Sequence, residues 1–392
     1  MKIVQVSCLI AVLLCGTAFG ATWHVDASNV FGEQDGLSWG TAFRTVQAGV
    51  DAASAGDEVW VAGGIYNARP PENPAQSYCG EPVEAALVAL KTAIGLYGGF
   101  SGTETEKSAR DWETNITILD GSTALSGGPV VHVVVGAPDS SIDGFTITGG
   151  AAMASLFCGG HGGCGIYDCH DRLGGGIYVE EGPFALANCT LRNNAAENAG
   201  GGLFALGGTL QVENCHFEDN YVEYRGGAGL YVESDVTGSV IDCSFSGNSV
   251  KYGNGAGVYS LVSSLLLRGC SFLGNKADDG VGAGAIVYNA YEIADCVFEG
   301  NSAHHAGALA VRGEDELGAI SNCVFSGNFA SGGGGAATLG DLSTARFANC
   351  LFEGNVAGQG GGAFWVGYGD ILDVVNCTFS GNAAPVGSVV HS

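Results

Sequence analysis

Residues 240–275 read VIDCSFSGNSVKYGNGAGVYSLVSSLLLRGCSFLGN. Within them Cys243, Phe245 and Asn248 return 27 residues later as Cys270, Phe272 and Asn275. On an extended chain, residues two apart point to the same side and the residue between points away. Cys and Phe therefore share an inner face, while Ser244 and Ser271 face out. Asn, five after Cys, falls where the strand must turn, and Asn tolerates left-handed backbone there. The glycine-rich return Gly253-Asn254-Gly255-Ala256-Gly257 leads into a further apolar strand at Val258. Each repeat thus reads as one coil of three short strands separated by turns.

Outward from this stretch the motif Cys-x-[Phe/Leu]-x-x-Asn occurs eight times, with cysteines 26 to 28 residues apart. The cysteines are Cys189, Cys215, Cys243, Cys270, Cys296, Cys323, Cys350 and Cys377. The asparagines are Asn194, Asn220, Asn248, Asn275, Asn301, Asn328, Asn355 and Asn382. If the backbone climbs one strand spacing per coil, about 4.8 Å, these residues form two columns. The cysteines become a pile of small, buried, reduced side chains, although the spacing between coils also falls within the Cα range of a disulfide, to which parallel stacked side chains are poorly suited. The asparagines become a hydrogen-bonded ladder, because a buried turn amide left unpaired costs about 1–3 kcal/mol. An apolar row, Leu186, Val212, Val240, Leu267, Ile293, Ile320, Phe347 and Val374, precedes each cysteine by three. The residue just before Cys is Asn or Asp in every copy except Gly269. A row of turn glycines is read at Gly176, Gly202, Gly229, Gly257, Gly284, Gly307, Gly335 and Gly362.

The spacing also fits a leucine-rich repeat. The return decides against it, since adjacent glycines such as Gly200-Gly201-Gly202 would cost a helix about 1 kcal/mol apiece. The predicted fold is an all-β, right-handed parallel β-helix of some eleven to thirteen coils, about 50–60 Å long.

Before the regular coils, Thr22–Val25 and Gly56–Val61 read as strands, as do segments near 86–90, 94–97, 116–119 and 130–135. Ala42–Ala53 (AFRTVQAGVDAA) reads as an amphipathic helix plugging the open end. Phe145-x-Ile147-x-Gly149-Gly150 is a degenerate first copy of the motif, and residues 151–172 interrupt the period as a Cys/His-rich insertion. The expected organisation is a signal peptide, 1–20, then a single β-helix domain, 21–392: cap and first coils to 150, the insertion, and regular coils over 173–392. The signal peptide rests on Lys2, the apolar run Cys8–Leu14 and the small-x-small site Ala18-Phe19-Gly20. Cys15 as a lipidated start is the rival, against which Leu14 stands where a small residue is expected. No later apolar run has the 18 residues of a membrane span.

Lys and Arg number 14 against 40 Asp and Glu, a net charge of −26. This opposes nucleic-acid binding, which relies on phosphate neutralisation, and unaided binding of polyanionic sugars. Cationic partners and calcium remain compatible with it. Cys79, Cys158, Cys164 and Cys169 lie in loops of an exported chain. They allow two disulfides in three pairings, free thiols, or a zinc site built from Cys158, His161, Cys164 and Cys169 with His170 nearby.

The paired F-x-x-N and G-G-A-φ repeats resemble those of the chlamydial polymorphic outer-membrane proteins. TWHVDASN (22–29), GLSWGTAF (36–43), AGDEVWVAGGIY (55–66) and YGGFSGTETEKSARDWETNITILDG (97–121) resemble the opening of secreted bacterial proteins of the pectin-lyase-like β-helix class. The resemblance implies a surface-exposed or secreted passenger with an adhesion role. The chain departs from the chlamydial proteins in having no stretch after Asn382 long enough for a membrane barrel, so self-export is not expected. Relatives of the same fold cleave polysaccharides, and hydrolases need clustered carboxylates. Gly160-His161-Gly162 and Asp278-Asp279 stand in the reverse of the polygalacturonase order, and no R-I-K segment occurs. The outward row Arg192, Glu218, Ser246, Leu273, Glu299, Ser326, Glu353 and Ser380 spaces its acids two coils apart or more. Glu223/Arg225 and His304-His305 are read as a loop pair and a surface turn.

The expectation is a secreted or cell-envelope β-helix at the outer-membrane surface, non-enzymatic, with no catalytic residue and no cofactor beyond calcium. Its partners would be an extracellular protein or glycan, with end-to-end self-association also open. The alternative is a polysaccharide lyase or glycoside hydrolase, and a calcium-stabilised spacer is a third reading.

Overall fold

The computed structural model describes residues 20–30, 32–68, 86–123, 128–153, 172–313 and 317–392. The leader segment 1–19, Cys79, and the candidate ligands Cys158, His161, Cys164, Cys169 and His170 lie outside the described residues. So does Gly160-His161-Gly162.

Phe217 pairs in parallel with Phe245, and the register continues through Phe272, Phe298, Phe325, Phe352 and Phe379 without a slip. The strands build three parallel sheets of twenty-one, eleven and eight strands. The motif strands form the eleven-stranded sheet, from Gly64–Tyr66 to Thr378–Ser380. The residues after each ladder Asn from Asn194 to Asn355 join the eight-stranded sheet, as Ala195–Ala196 does with Tyr221–Val222. The largest sheet takes two segments from most regular coils, such as Leu203–Leu206 and Thr209–Glu213. In two coils these fuse into single strands, Leu230–Ile241 and Val258–Arg268. The whole is a parallel β-helix, and the glycine-rich return is a run of bends with isolated bridges leading into the next strand, not helix.

Inside, identical residues stack. The seven phenylalanine rings lie 4.5 to 5.0 Å apart with planes within 10°. Offset stacking of this kind adds about 0.5–1.5 kcal/mol per pair beyond burial. Asn220 Nδ2 donates to Asn248 Oδ1 at 3.0 Å and to the Leu191 carbonyl at 2.9 Å. Asn220 Oδ1 accepts from the Asn194 backbone N–H and from Asn194 Nδ2. The same four bonds recur at Asn248, Asn275, Asn301, Asn328 and Asn355. Every polar atom of those buried carboxamides is satisfied. The eight column cysteines are free thiols, all buried except the half-exposed Cys377. Burial first, and then the neighbouring thiols Cys189 and Cys243, push the Cys215 thiol well above the ordinary cysteine value.

The turns explain the two polar punctuation marks of the repeat. Asn188, Asn214, Asp242, Asp295, Asn322, Asn349 and Asn376, just before seven of the eight cysteines, have φ between 50° and 57°, and Gly269 before the eighth has φ of 64°. A second left-handed position precedes the ladder Asn and is Gly from Gly247 to Gly381.

Several details differ from the sequence reading. The helix spans Val46–Ala52, because Thr45 stays extended and its side chain accepts from Ala48 N–H as the N-cap. It lies against the first level: a Cβ on Gly49 would sit 2.7 Å from Val25 and 2.9 Å from Val59. The glycine row shifts register. Leu309 pairs with Ala285 and with Ala337, so Ala308, Ala336 and Ala363 stand above Gly284, while Gly307, Gly335 and Gly362 fall one place earlier. Alanine is small enough to share that row. Ala151–Ala152 pair with Ala195–Ala196, so the first two residues of the expected insertion belong to a coil. His304-His305 end the strand Ser302–His305 instead of forming a turn. In the final coil Val374 is 37% exposed, where its counterpart Phe347 is 0% exposed.

Candidate functional site

The site starts with an excursion from the early coils. After the strand Gly95–Phe100, residues 101–116 leave the sheet and fold back over it. The turn Ser101–Thr103 wraps the Glu104 carboxylate, which accepts three backbone N–H groups at 2.7 to 3.1 Å. Burial works against ionisation of Glu104, but those amides win and hold its carboxyl below the ordinary glutamate value. Further along, Lys107 Nζ meets Glu58 Oε1 at 2.5 Å and sits 4.0 Å over the Tyr97 ring. Arg110 Nη2 meets Asp143 Oδ2 at 2.5 Å, and its Nη1 donates to the carbonyls of Gly98 and Asp143. The guanidinium also lies 4.9 Å from the Trp112 ring. Gly144, with φ of 84°, makes this approach feasible: a Cβ there would stand 2.8 Å from Arg110 Nη1 and 3.1 Å from both the Gly98 carbonyl and Trp112 Cβ.

The excursion is thereby fixed as a wall, and Trp112 and Glu113 stand at its inner side. The floor is the outward row of the eleven-stranded sheet, Thr146, Thr190 and His216, aligned in register. His216 Nδ1 is 2.7 Å from Ser244 Oγ. The rim is a second, outer amide ladder. Asn214 Nδ2 donates to Asn188 Oδ1 at 2.7 Å, and Asn188 Nδ2 donates to Asp143 Oδ1 at 2.8 Å. Asp143 therefore ties rim and wall together through its two oxygens. Between them lies a cleft of about 340 Å³.

The cleft offers an indole, two carboxamides, hydroxyls, an imidazole and one carboxylate, Glu113. That set suits a hydroxyl-rich ligand: amides and hydroxyls bond its OH groups and the aromatic face covers its C–H face. Glycoside hydrolysis uses two carboxyl groups on either side of the scissile bond, and the lining supplies one.

The other sequence candidates disperse. Glu223 pairs with Lys251 and Arg225 with Glu233, not with each other. Asp278 pairs with Lys276 at 2.6 Å. His304 Nδ1 is 2.9 Å from Ser331 Oγ, and His305 Nδ1 accepts from Gly333 N–H at 2.9 Å. Burial lowers the His305 pKa. Among the described residues no three His, Cys, Asp or Glu side chains converge to hold a metal ion. The columns of Cys and Asn lie inside the coils, and none of these residues lines the cleft. Sequence reasoning missed the wall. Its floor and rim sat in repeat rows already singled out, whereas Trp112 and Glu113 precede the repeats and share no period with them.

Comparison with solved structures returns distant likenesses. The A-module of the Azotobacter vinelandii mannuronan C-5 epimerase AlgE4 is 14% identical, covering 94% of this chain and 99% of its own, with a TM-score of 0.38. Pectate lyase Pel9A is 13% identical over 91% and 78% (TM-score 0.37), and polygalacturonase from Erwinia carotovora is 11% identical over 95% and 97% (TM-score 0.37). At such distance no activity transfers. Among curated protein sequences none matches the chain. The model of one family, described as right handed beta helix region, matches residues 132–293 and 275–391. With more than half its length so matched and its strands stacked in three parallel sheets, the chain belongs to the right-handed β-helix family.

Proposed function

We propose that the protein is a secreted or cell-surface β-helix that binds a glycan in the Trp112 cleft without cleaving it, in surface structure or adhesion. The observation that carries this reading is the lining: one aromatic wall, a row of amides and hydroxyls, and a single carboxylate. The resemblance of the repeats to chlamydial surface proteins and the signal-peptide pattern read in residues 1–20 support the location. A lyase or hydrolase would need a second carboxylate or a base placed against Glu113, and the lining offers only the His216 imidazole, which is engaged with Ser244.

The test is a glycan array followed by titration calorimetry with the best ligand. Trp112→Ala is expected to weaken binding about tenfold, or about 1.4 kcal/mol. The bound glycan should yield neither new reducing ends nor unsaturated product after prolonged incubation. Turnover of the ligand, or binding indifferent to Trp112→Ala, overturns the proposal.

A further inference from the structure

We infer that the cleft selects uncharged glycans and rejects polyuronates; this rests on the glycan-binding reading above. No Lys or Arg is among the residues lining the cleft. The nearest cation, Arg110, is matched by Asp143, and its side chain is only 7% exposed. The strip beyond the floor is acidic. Glu218 follows Phe217 on the outward face, in register with Arg192 on one side and Ser246 on the other. Asp219 occupies the next, left-handed position. Glu213 precedes the rim residue Asn214, and Asp242 stands one coil above Asn214. Among the described residues none of these four carboxylates is in an ion pair; Arg192 stands in register with Glu218, and Arg268, in register with Ile241 beside Asp242, is already paired with Glu292. The chain as a whole carries −26.

A polyuronate entering the cleft brings one negative charge per sugar. It meets like charge with no cation among the cleft-lining residues to offset it, and clefts lined by one sign of charge focus the field. Nor do the described residues build in a divalent bridge, since among them Glu113 is not joined by two further acidic, His or Cys ligands. Uncharged hydroxyls suffer none of this, and the amide rim and threonine floor bond them directly.

Matched pairs of oligomers test the inference on the full chain: galacto-oligosaccharide against oligogalacturonate, and manno-oligosaccharide against oligomannuronate, by titration calorimetry at low and high salt, with and without calcium. The neutral member of at least one pair is expected to bind at least about tenfold more tightly at low salt, with the gap narrowing as salt screens the rim. The triple change Glu213→Gln, Glu218→Gln, Asp219→Asn is expected to shrink the ratio at least about threefold. Uronate binding equal to or tighter than neutral binding, and still sensitive to Trp112→Ala, overturns the selectivity and leaves the cleft as a glycan site. Failure of both classes to bind overturns the glycan reading and this inference with it.

Discussion

Asn275 shows what one repeat residue does. Its Nδ2 donates to the Phe245 carbonyl and to Asn301 Oδ1, and its Oδ1 accepts the backbone and side-chain N–H groups of Asn248. Asn275→Ala strands donors and an acceptor on two neighbouring coils at once, all in a dry interior. Each orphaned group costs about 1–3 kcal/mol, so the variant should lose about 3–5 kcal/mol in urea unfolding. Asn275→Asp should fare no better, because a carboxylate accepts but cannot donate. The cysteine column makes a different demand, for small volume in a dry interior that keeps reagents out. With the Cys215 thiol raised by burial, it stays protonated at neutral pH, and the thiolate is the reactive form. Peptide mapping after brief maleimide treatment of the native protein should find Cys377 labelled well ahead of Cys189 to Cys350. At this scale the sequence was highly legible: a side chain that recurs at one address in eight coils has the same neighbours above and below. The glycine row was the exception, since Gly and Ala are both small enough for its place, and the A-G-A-L of 306–309 fits two registers equally well.

The excursion 101–116 is the element on which the cleft depends. Removing Arg110 leaves the partly buried Asp143 carboxylate without its cation, and breaking such pairs costs about 3–5 kcal/mol when fully buried. With Asp143 20% exposed, Arg110→Ala should cost about 2–3 kcal/mol locally, read as faster proteolysis within 101–116 while the coils keep their circular dichroism. Gly144→Val should displace the wall sterically, shifting Trp112 fluorescence to the red and abolishing ligand binding. The Glu104 turn adds a pH dependence. Its carboxyl is depressed in the folded state, so its contribution is complete above the ordinary glutamate value and is lost as pH falls through the folded value. Cleavage within 101–116 should therefore rise as pH drops below about 4.5, and Glu104→Gln should flatten that rise. None of this could be read from periodicity. The excursion occurs once, and its anchors Glu58, Tyr97 and Asp143 come from three coils whose adjacency is known only once the coils are stacked.

At the scale of the molecule, each coil touches chiefly the coil before and the coil after, so stability is close to a sum of nearest-neighbour terms. Val324 pairs with Val297 below and Leu351 above in identical register. Excising Val324–Cys350, the 27 residues of one coil, should give a folded, shorter protein with a melting temperature within a few degrees of the parent. Excising only Val324–Ala336, 13 residues, puts every later row out of phase and should abolish cooperative melting. The period of about 27 residues and the three faces followed from the repeat length. The fourth segment per coil did not, because the bend between the two runs of the large sheet is shallow enough to vanish in Leu230–Ile241 and Val258–Arg268.

The inner carboxamides all point the same way along the axis, each oxygen toward the preceding turn of chain and one N–H toward the next. Reversing any single member would set oxygen against oxygen and N–H against N–H, so orientation is shared by the whole file or by none of it. Aligned dipoles of this kind polarise one another. The result is a molecular axis with a sign: acceptor character at the Gly150 end, where a backbone N–H closes the file, and donor character at Asn382.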